Sequence, residues 1–231
     1  MEKINEKELL DIEEVYKKLT PLFPEIRTAI RIVQAKETTC NRGQEYCILL
    51  YSEKKSGYLQ NIGYLGELLD LYLVSKEIGT LWFGIGKVEE QSYEGLDFVI
   101  MIAIAKVDDS KKFRKDMFKS KRKPLEEIWK GELLAGVSDI VRFAPSACNT
   151  QPWLVENKGN ELQVFRYKKP RKRGIMPAAQ VSYYNRIDIG IFLCFLELCL
   201  ERERIGYERI LYEDSGEEAE KTLTAIYKVE R

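Results

Sequence analysis

Two stretches of this chain are too apolar to be ordinary surface helices. Residues 63–78 and 188–203 each read as a helix with hydrophobic side chains on nearly every face. Such a helix has to be covered on several sides, whereas a surface helix keeps a polar face for water. Strands that could supply the cover are present. Residues 29–34, 46–51, 98–105, 207–212 and 222–229 carry β-branched, aromatic and apolar runs. The run at 98–105 is nearly continuous, as in a sheet centre covered on both faces. Residues 153–156 and 162–167 read as a hairpin turning at Asn157-Lys158-Gly159-Asn160. An amphipathic helix over residues 6–18 precedes all of these, stopped by Pro21 and Pro24. Gly79 reads as the cap of the first apolar helix. Asp188 reads as the N-cap of the second in preference to a ligand contact. The mixture predicts an α+β fold.

Between these elements lie charged connectors. Residues 108–123 crowd Lys111, Lys112, Arg114, Lys115, Lys119, Lys121, Arg122 and Lys123 together. Pro124 then suits the first position of a helix running to about Phe143. A second basic loop spans residues 168–173. A weak internal repeat links residues 61–79 to residues 185–206. It sets Gly66 on Gly190, and both segments end in Ile-Gly.

Composition excludes several chemistries. Lys plus Arg (37) balances Asp plus Glu (37), so no overall basic field marks a nucleic-acid binder. No apolar run reaches the roughly 20 residues that span a bilayer. The charged N-terminus is unlike a signal peptide, and the expected location is the cytoplasm. Histidine is absent, which removes Ser-His and Cys-His catalysis and every His metal ligand. The five cysteines form no CxxC and no zinc spacing. Cys194 and Cys199 read as buried thiols. A chain without these tools obtains its chemistry most simply from a cofactor.

The segment Ala144-Pro-Ser-Ala-Cys-Asn-Thr-Gln-Pro-Trp153 is where such a group could be held. Pro145 and Pro152 fix the backbone at its two ends, and Ser146, Asn149, Thr150 and Gln151 place short hydrogen-bonding groups between them. The plainer reading is a helix end, a loop and a strand. The segment strongly resembles the APSxxNxQPW signature of the nitroreductase-like flavoproteins, which hold FMN. Gly79-Thr-Leu-Trp-Phe-Gly84 is similar to the family's GxGTxWxG segment. The strand Val99-Ile-Met-Ile-Ala-Ile-Ala-Lys106 and the basic Lys119-Ser-Lys-Arg-Lys-Pro124 resemble the strand and KxRxP-like tail that meets the FMN phosphate.

The order departs from the ordinary family, where the APS segment comes first and each site draws on two subunits. The arrangement here is similar to a compact branch in which one chain builds a whole site. The resemblance thus implies a three-layer nitroreductase-like fold, with two reduced halves, about 1–122 and 123–231, around a central sheet and buried helices. A monomer is compatible with it. It implies FMN contacts from Trp82, Phe83, Gly84, Lys121, Arg122, Pro145, Ser146 and Asn149, with no protein residue acting as a catalyst and no metal. Trp82 is equally open to a core role, and Arg122 to a solvated connector. The implied activity is transfer of electrons from NAD(P)H to nitroaromatic, quinone or similar small-molecule acceptors. The family's opening RRSxR, which meets the phosphate, is not found in this sequence. Its absence leaves open a flavin-binding or storage protein without catalysis, and a binding module of the same fold without cofactor.

Overall fold

The structure, a computed structural model, describes residues 3–107, 109, 113, 121–167, 176–214 and 219–230. Most of the basic connector at 108–123, and the basic loop at 168–173, lie outside the described residues. The chain divides into two units, Met1–Asp116 and Met117–Arg231.

In the first unit, α1 (Glu6–Lys18) opens with a reciprocal cap in which Asn5 accepts from the Glu8 amide and Glu8 from the Asn5 amide. Strands β1 (Thr28–Gln34), β2 (Tyr46–Ser52), β3 (Ile78–Phe83) and β5 (Leu96–Lys106) form an antiparallel sheet in the order β1-β2-β5-β3. The short β4 (Ser92–Tyr93) pairs with the start of β5. Helix α2 (Tyr58–Ser75) lies on one face. Cross-strand neighbours share a face, so Ile102 and Ile104 lie with their β3 partners Trp82 and Thr80, which bond to α2. The opposite face buries Val33, Cys47, Leu49, Tyr51, Met101 and Ala103 in a second layer of core. Both faces of β2 and β5 are therefore dry, which explains their unbroken apolar runs.

In the second unit, α3 (Leu125–Ile128), β6 (Trp129–Lys130) and α4 (Ser138–Val141) precede the hairpin β7 (Trp153–Asn157) and β8 (Glu161–Tyr167). Helix α5 (Ala178–Arg202) and strands β9 (Tyr207–Leu211) and β10 (Lys221–Val229) follow. The sheet order is β6-β7-β8-β10-β9, with β6 parallel to β7 and all other pairs antiparallel. Gly159, at φ +87°, turns the hairpin. Among the described residues, no helix is long and apolar enough to cross a membrane.

The α+β class stands, and four local expectations need correction. Helix α2 ends at Ser75, not Ile78. Glu77 takes the left-handed turn (φ +59°), and Gly79 lies inside β3. The helix expected from Pro124 to Phe143 is two single turns separated by β6 and Gly131. Gly131 sits at φ +84°, and a Cβ there would overlap the Asn157 carbonyl. Helix α5 starts ten residues before Asp188, so Asp188 is an interior helix residue and not a cap. The fourth correction concerns the repeat.

Each unit runs β-hairpin, helix, then two strands of the same sheet. The order β1-β2-β5-β3 corresponds to β7-β8-β10-β9. Superposing the helix ends Ser75 and Arg202 sets Gly190 on Gly63 instead of Gly66. The side chains confirm that register. In the first unit Asp70 on α2 accepts from Thr80 Oγ1 and Trp82 Nε1, ten and twelve residues on. In the second, Glu197 on α5 accepts from Tyr207 Oη and Arg209 Nη1, again ten and twelve residues on. The same superposition places Asn61 on Asp188.

Candidate functional site

The sequence-predicted residues fall into two sets, one on each unit. On the first unit Trp82, Phe83 and Gly84 close β3. Trp82 points to α2, where its indole N–H donates to Asp70 Oδ2 at 3.1 Å. Its benzo edge lies against Gly66. A Cβ on Gly66 would overlap Trp82 Cη2 and come within 3.1 Å of Cζ2 and 3.4 Å of Leu50 Cδ2. Phe83 points the other way and packs on the second core, with the Arg42 guanidinium 5.9 Å from its ring centre. Gly84 and Ile85 lead through a tight turn in which the Gly86 amide donates to Phe83 O.

Beside Trp82 are two acids. Burial pushes the Asp70 carboxyl up, while the Thr80 hydroxyl and the indole pull it down. Glu67 is 2% exposed. Burial, then Asp70, hold its carboxyl well above the usual carboxylate range, and its Oε2 has no hydrogen-bond partner.

The second set is more closely knit. Lys121 and Arg122 join Pro145, Ser146 and Asn149 within the second unit. The chain leaves α4 through buried Ala144 and half-buried Pro145, and Ser146 is extended. A single 3-10 turn, Ala147–Asn149, follows. Cys148, Asn149 and Gln151 all take positive φ, at 51°, 55° and 47°. None is glycine, and left-handed backbone costs an ordinary L-residue about 1–2 kcal/mol. Strain of this kind persists only where surrounding bonds over-determine it.

Those bonds are specific. Gln151, 2% exposed, is the hub. Its amide N–H donates to Ser146 Oγ at 2.9 Å, and its Nε2 donates to Asn149 O and Oδ1, both at 3.2 Å. Its Oε1 accepts from the Lys123 amide at 2.8 Å and its carbonyl from Lys123 Nζ at 2.7 Å. Asn149 donates to Lys121 O at 2.7 Å. Arg122 donates to Asn149 Oδ1 at 2.7 Å and to Phe143 O at 3.1 Å. The Arg122 guanidinium and the Lys123 ammonium therefore rest on neutral oxygens of this segment, and Lys121 is tied to it through its backbone carbonyl. Cys148 is the exposed cysteine of the loop, and Cys194 and Cys199 are buried as expected.

Two residues of this network were given no site role from sequence. Gln151 stood in the motif without a role, and its hydrogen bonds to Ser146, Asn149 and Lys123 show it as the hub. Asp188, 3% exposed, accepts from the Ala147 amide at 2.9 Å. Burial pushes its carboxyl up to about 8 against the pull of that bond. Its signal was a lone acid within an apolar helix. No cluster of potential metal ligands occurs among the described residues.

Residues 1–200 match the family model described as "Putative TM nitroreductase". The crystal structure of a "putative nitroreductase" from Thermotoga maritima msb8 is similar in fold, with a TM-score of 0.60 at 18% sequence identity. The match covers 98% of this chain and 85% of that one. No curated protein matches the chain.

Proposed function

The chain belongs to this nitroreductase family, and from that membership we propose that it is an FMN-dependent oxidoreductase. It would take electrons from NAD(P)H and pass them to nitroaromatic, quinone or similar acceptors. The observation that carries the reading is the Ser146–Gln151 loop. A strained, densely bonded turn holds the Arg122 guanidinium and the Lys123 ammonium on neutral oxygens and ties the Lys121 backbone beside them, which suits an anionic group such as the FMN phosphate.

Arg122 is the proposed phosphate contact, with Lys121 beside it. Asn149 and the Phe143 carbonyl fix the guanidinium plane, so little side-chain freedom remains to be lost on binding. Pro145, Ser146 and Asn149 form the loop wall. Trp82, Phe83 and Gly84, which close β3, are proposed flavin contacts on the resemblance alone. When bound, FMN supplies the hydride chemistry itself. The chain's residues bind and orient, which accords with a sequence lacking histidine. The second reading is a protein that holds flavin without turning it over.

Titration of the intact chain with FMN tests the proposal. We expect saturable binding that weakens with salt, because contacts at an open rim are screened over about 8–10 Å. Loss of one charge-assisted contact, worth about 1.5–3 kcal/mol, should make Arg122→Ala bind about ten- to hundred-fold more weakly. Anaerobic bleaching of the bound flavin by NADH or NADPH separates the enzyme from the storage protein. Tight, salt-insensitive binding unchanged by Arg122→Ala would place the phosphate elsewhere. No binding at low salt would overturn the cofactor reading.

A further inference from the structure

We propose that Asp188 is the positioning residue of the ligand loop, holding Ser146–Gln151 in its left-handed conformation from inside helix α5. Its relevance to ligand binding rests on the reading just given; its action on the loop does not.

The loop has two ends to hold. The downstream end is held by Gln151 and Lys123. Upstream of the left-handed residues, the Ala147 amide donates to Asp188 Oδ1, forty-one residues away in sequence. Three left-handed residues, Cys148, Asn149 and Gln151, begin at the next position. A buried carboxyl reached by that amide fixes where the turn starts.

The repeat shows that this is a built position. Asn61, which superposes on Asp188, does the same work in the first unit. It is fully buried, accepts from the Phe23 amide at 3.1 Å and donates to Phe23 O at 3.4 Å. Phe23 lies in the segment leading to β1, as Ala147 lies in the segment leading to β7. In each unit the central helix thus pins the segment that enters the first hairpin. The amide of Asn61 uses both of its ends on Phe23. Asp188 uses one oxygen, and its Oδ2 is buried without a hydrogen-bond partner. What the position requires in common is an oxygen acceptor at this point of the helix.

The acceptor can be removed without emptying the site. Asp188→Asn keeps Oδ1. Asp188→Leu has nearly the same shape and no acceptor, and Asp188→Ala provides a second deletion should the leucine not fold. Hydrogen–deuterium exchange of the intact, ligand-free chain is followed by mass spectrometry. We expect peptides over 144–152 to exchange at least ten-fold faster in the Leu or Ala variant and at the wild-type rate in Asp188→Asn. Peptides over 221–229 should be unchanged in all three. FMN titration runs in parallel, with affinity falling ten-fold or more in Leu or Ala and within about three-fold of wild type in Asn. Unchanged exchange at 144–152 in the deletion variants overturns the proposal whatever the flavin does. Faster exchange with wild-type FMN affinity overturns the link to the ligand. Faster exchange in a protein whose wild type takes up no FMN supports Asp188 as the holder of the loop and removes the cofactor reading alone.

Discussion

Gly66→Ala should change sign according to what stands at position 82. In the interior of α2, alanine is worth about 0.8–1.0 kcal/mol more than glycine through backbone entropy. The wild type cannot realise that gain, because the new methyl would occupy the edge of the Trp82 indole and press on Leu50. Overpacking of this kind costs about 1–3 kcal/mol. An indole that swings away to avoid it gives up its bond to Asp70, about another 1 kcal/mol. The sum is a net loss of about 1–3 kcal/mol for Gly66→Ala in the wild-type chain. Trp82→Phe removes the benzo edge and the N–H together. In that background the methyl has room, and Gly66→Ala should stabilise by up to about 1 kcal/mol. Urea unfolding of the four proteins of the double-mutant cycle reads a coupling of about 2 kcal/mol. If Gly66→Ala stabilises the wild type as much as it does Trp82→Phe, the indole does not rest on Gly66, and the described wall of the first set is wrong.

Other perturbations follow from buried polar groups. The Asp188 carboxyl titrates at about 8 in the folded chain, against about 3.9 when unfolded, so the folded state keeps a proton that the unfolded state releases. The stability associated with that proton is complete below pH 4, falls as pH rises toward 8, and is flat above. The slope is at most about 1.4 kcal/mol per pH unit. Asp188→Asn should remove this component, so its stability advantage in urea should grow from pH 5 to pH 8; an advantage independent of pH would contradict the burial argument. Arg166 and Asp214 form a bidentate pair that is fully buried, with Thr222 on the same guanidinium. Asp214→Ala should cost about 3–5 kcal/mol by stranding the arginine. Arg166→Met with Asp214→Leu should recover most of it, and equal losses in the single and double variants would refute the pairing.

What could be read from sequence depended on whether a local signal had one structural meaning. Helix α1 was legible to the residue because Asn5 and Glu8 cap it and its apolar stripe is one-sided. The β7–β8 hairpin was legible because Gly159 has no competing use there. Gly79 misled because a glycine after an apolar helix suggests a cap, whereas Glu77 makes the turn. Asp188 misled for the same reason, since an acid at the start of an apolar run resembles an N-cap. The earlier turns of α5, from Ala178 to Tyr184, are exposed or half-buried except at Val181 and carry no such run. The helix expected to reach Phe143 failed on one glycine, since only the approach of Asn157 to Gly131 shows why the chain turns there. At the site, the motif located the loop but not its bonding. That Gln151 is the hub follows from its bonds to Ser146, Asn149 and Lys123, made possible by positive φ values that such residues tolerate but do not announce.

The repeat explains why the legible and the illegible parts differ. Both units keep the same ties between helix and sheet. Asp70 takes Thr80 and Trp82, and Glu197 takes Tyr207 and Arg209, with Tyr227 as a further donor. Both also keep a side-chain oxygen pinning the entry to the first hairpin. These ties satisfy buried polar groups, and losing one would leave a carboxylate or an amide unpaired at a cost of about 1–3 kcal/mol, so their geometry persists while their chemistry drifts. The pinned segments obey no such constraint. Pro21-Leu-Phe-Pro24 is short and largely apolar. Pro145–Pro152 is longer, left-handed at three residues and tied to a run of cations. The difference between the two units is thus concentrated where the shared frame leaves the chain free, in a loop whose anchor, Asp188, belongs to the frame.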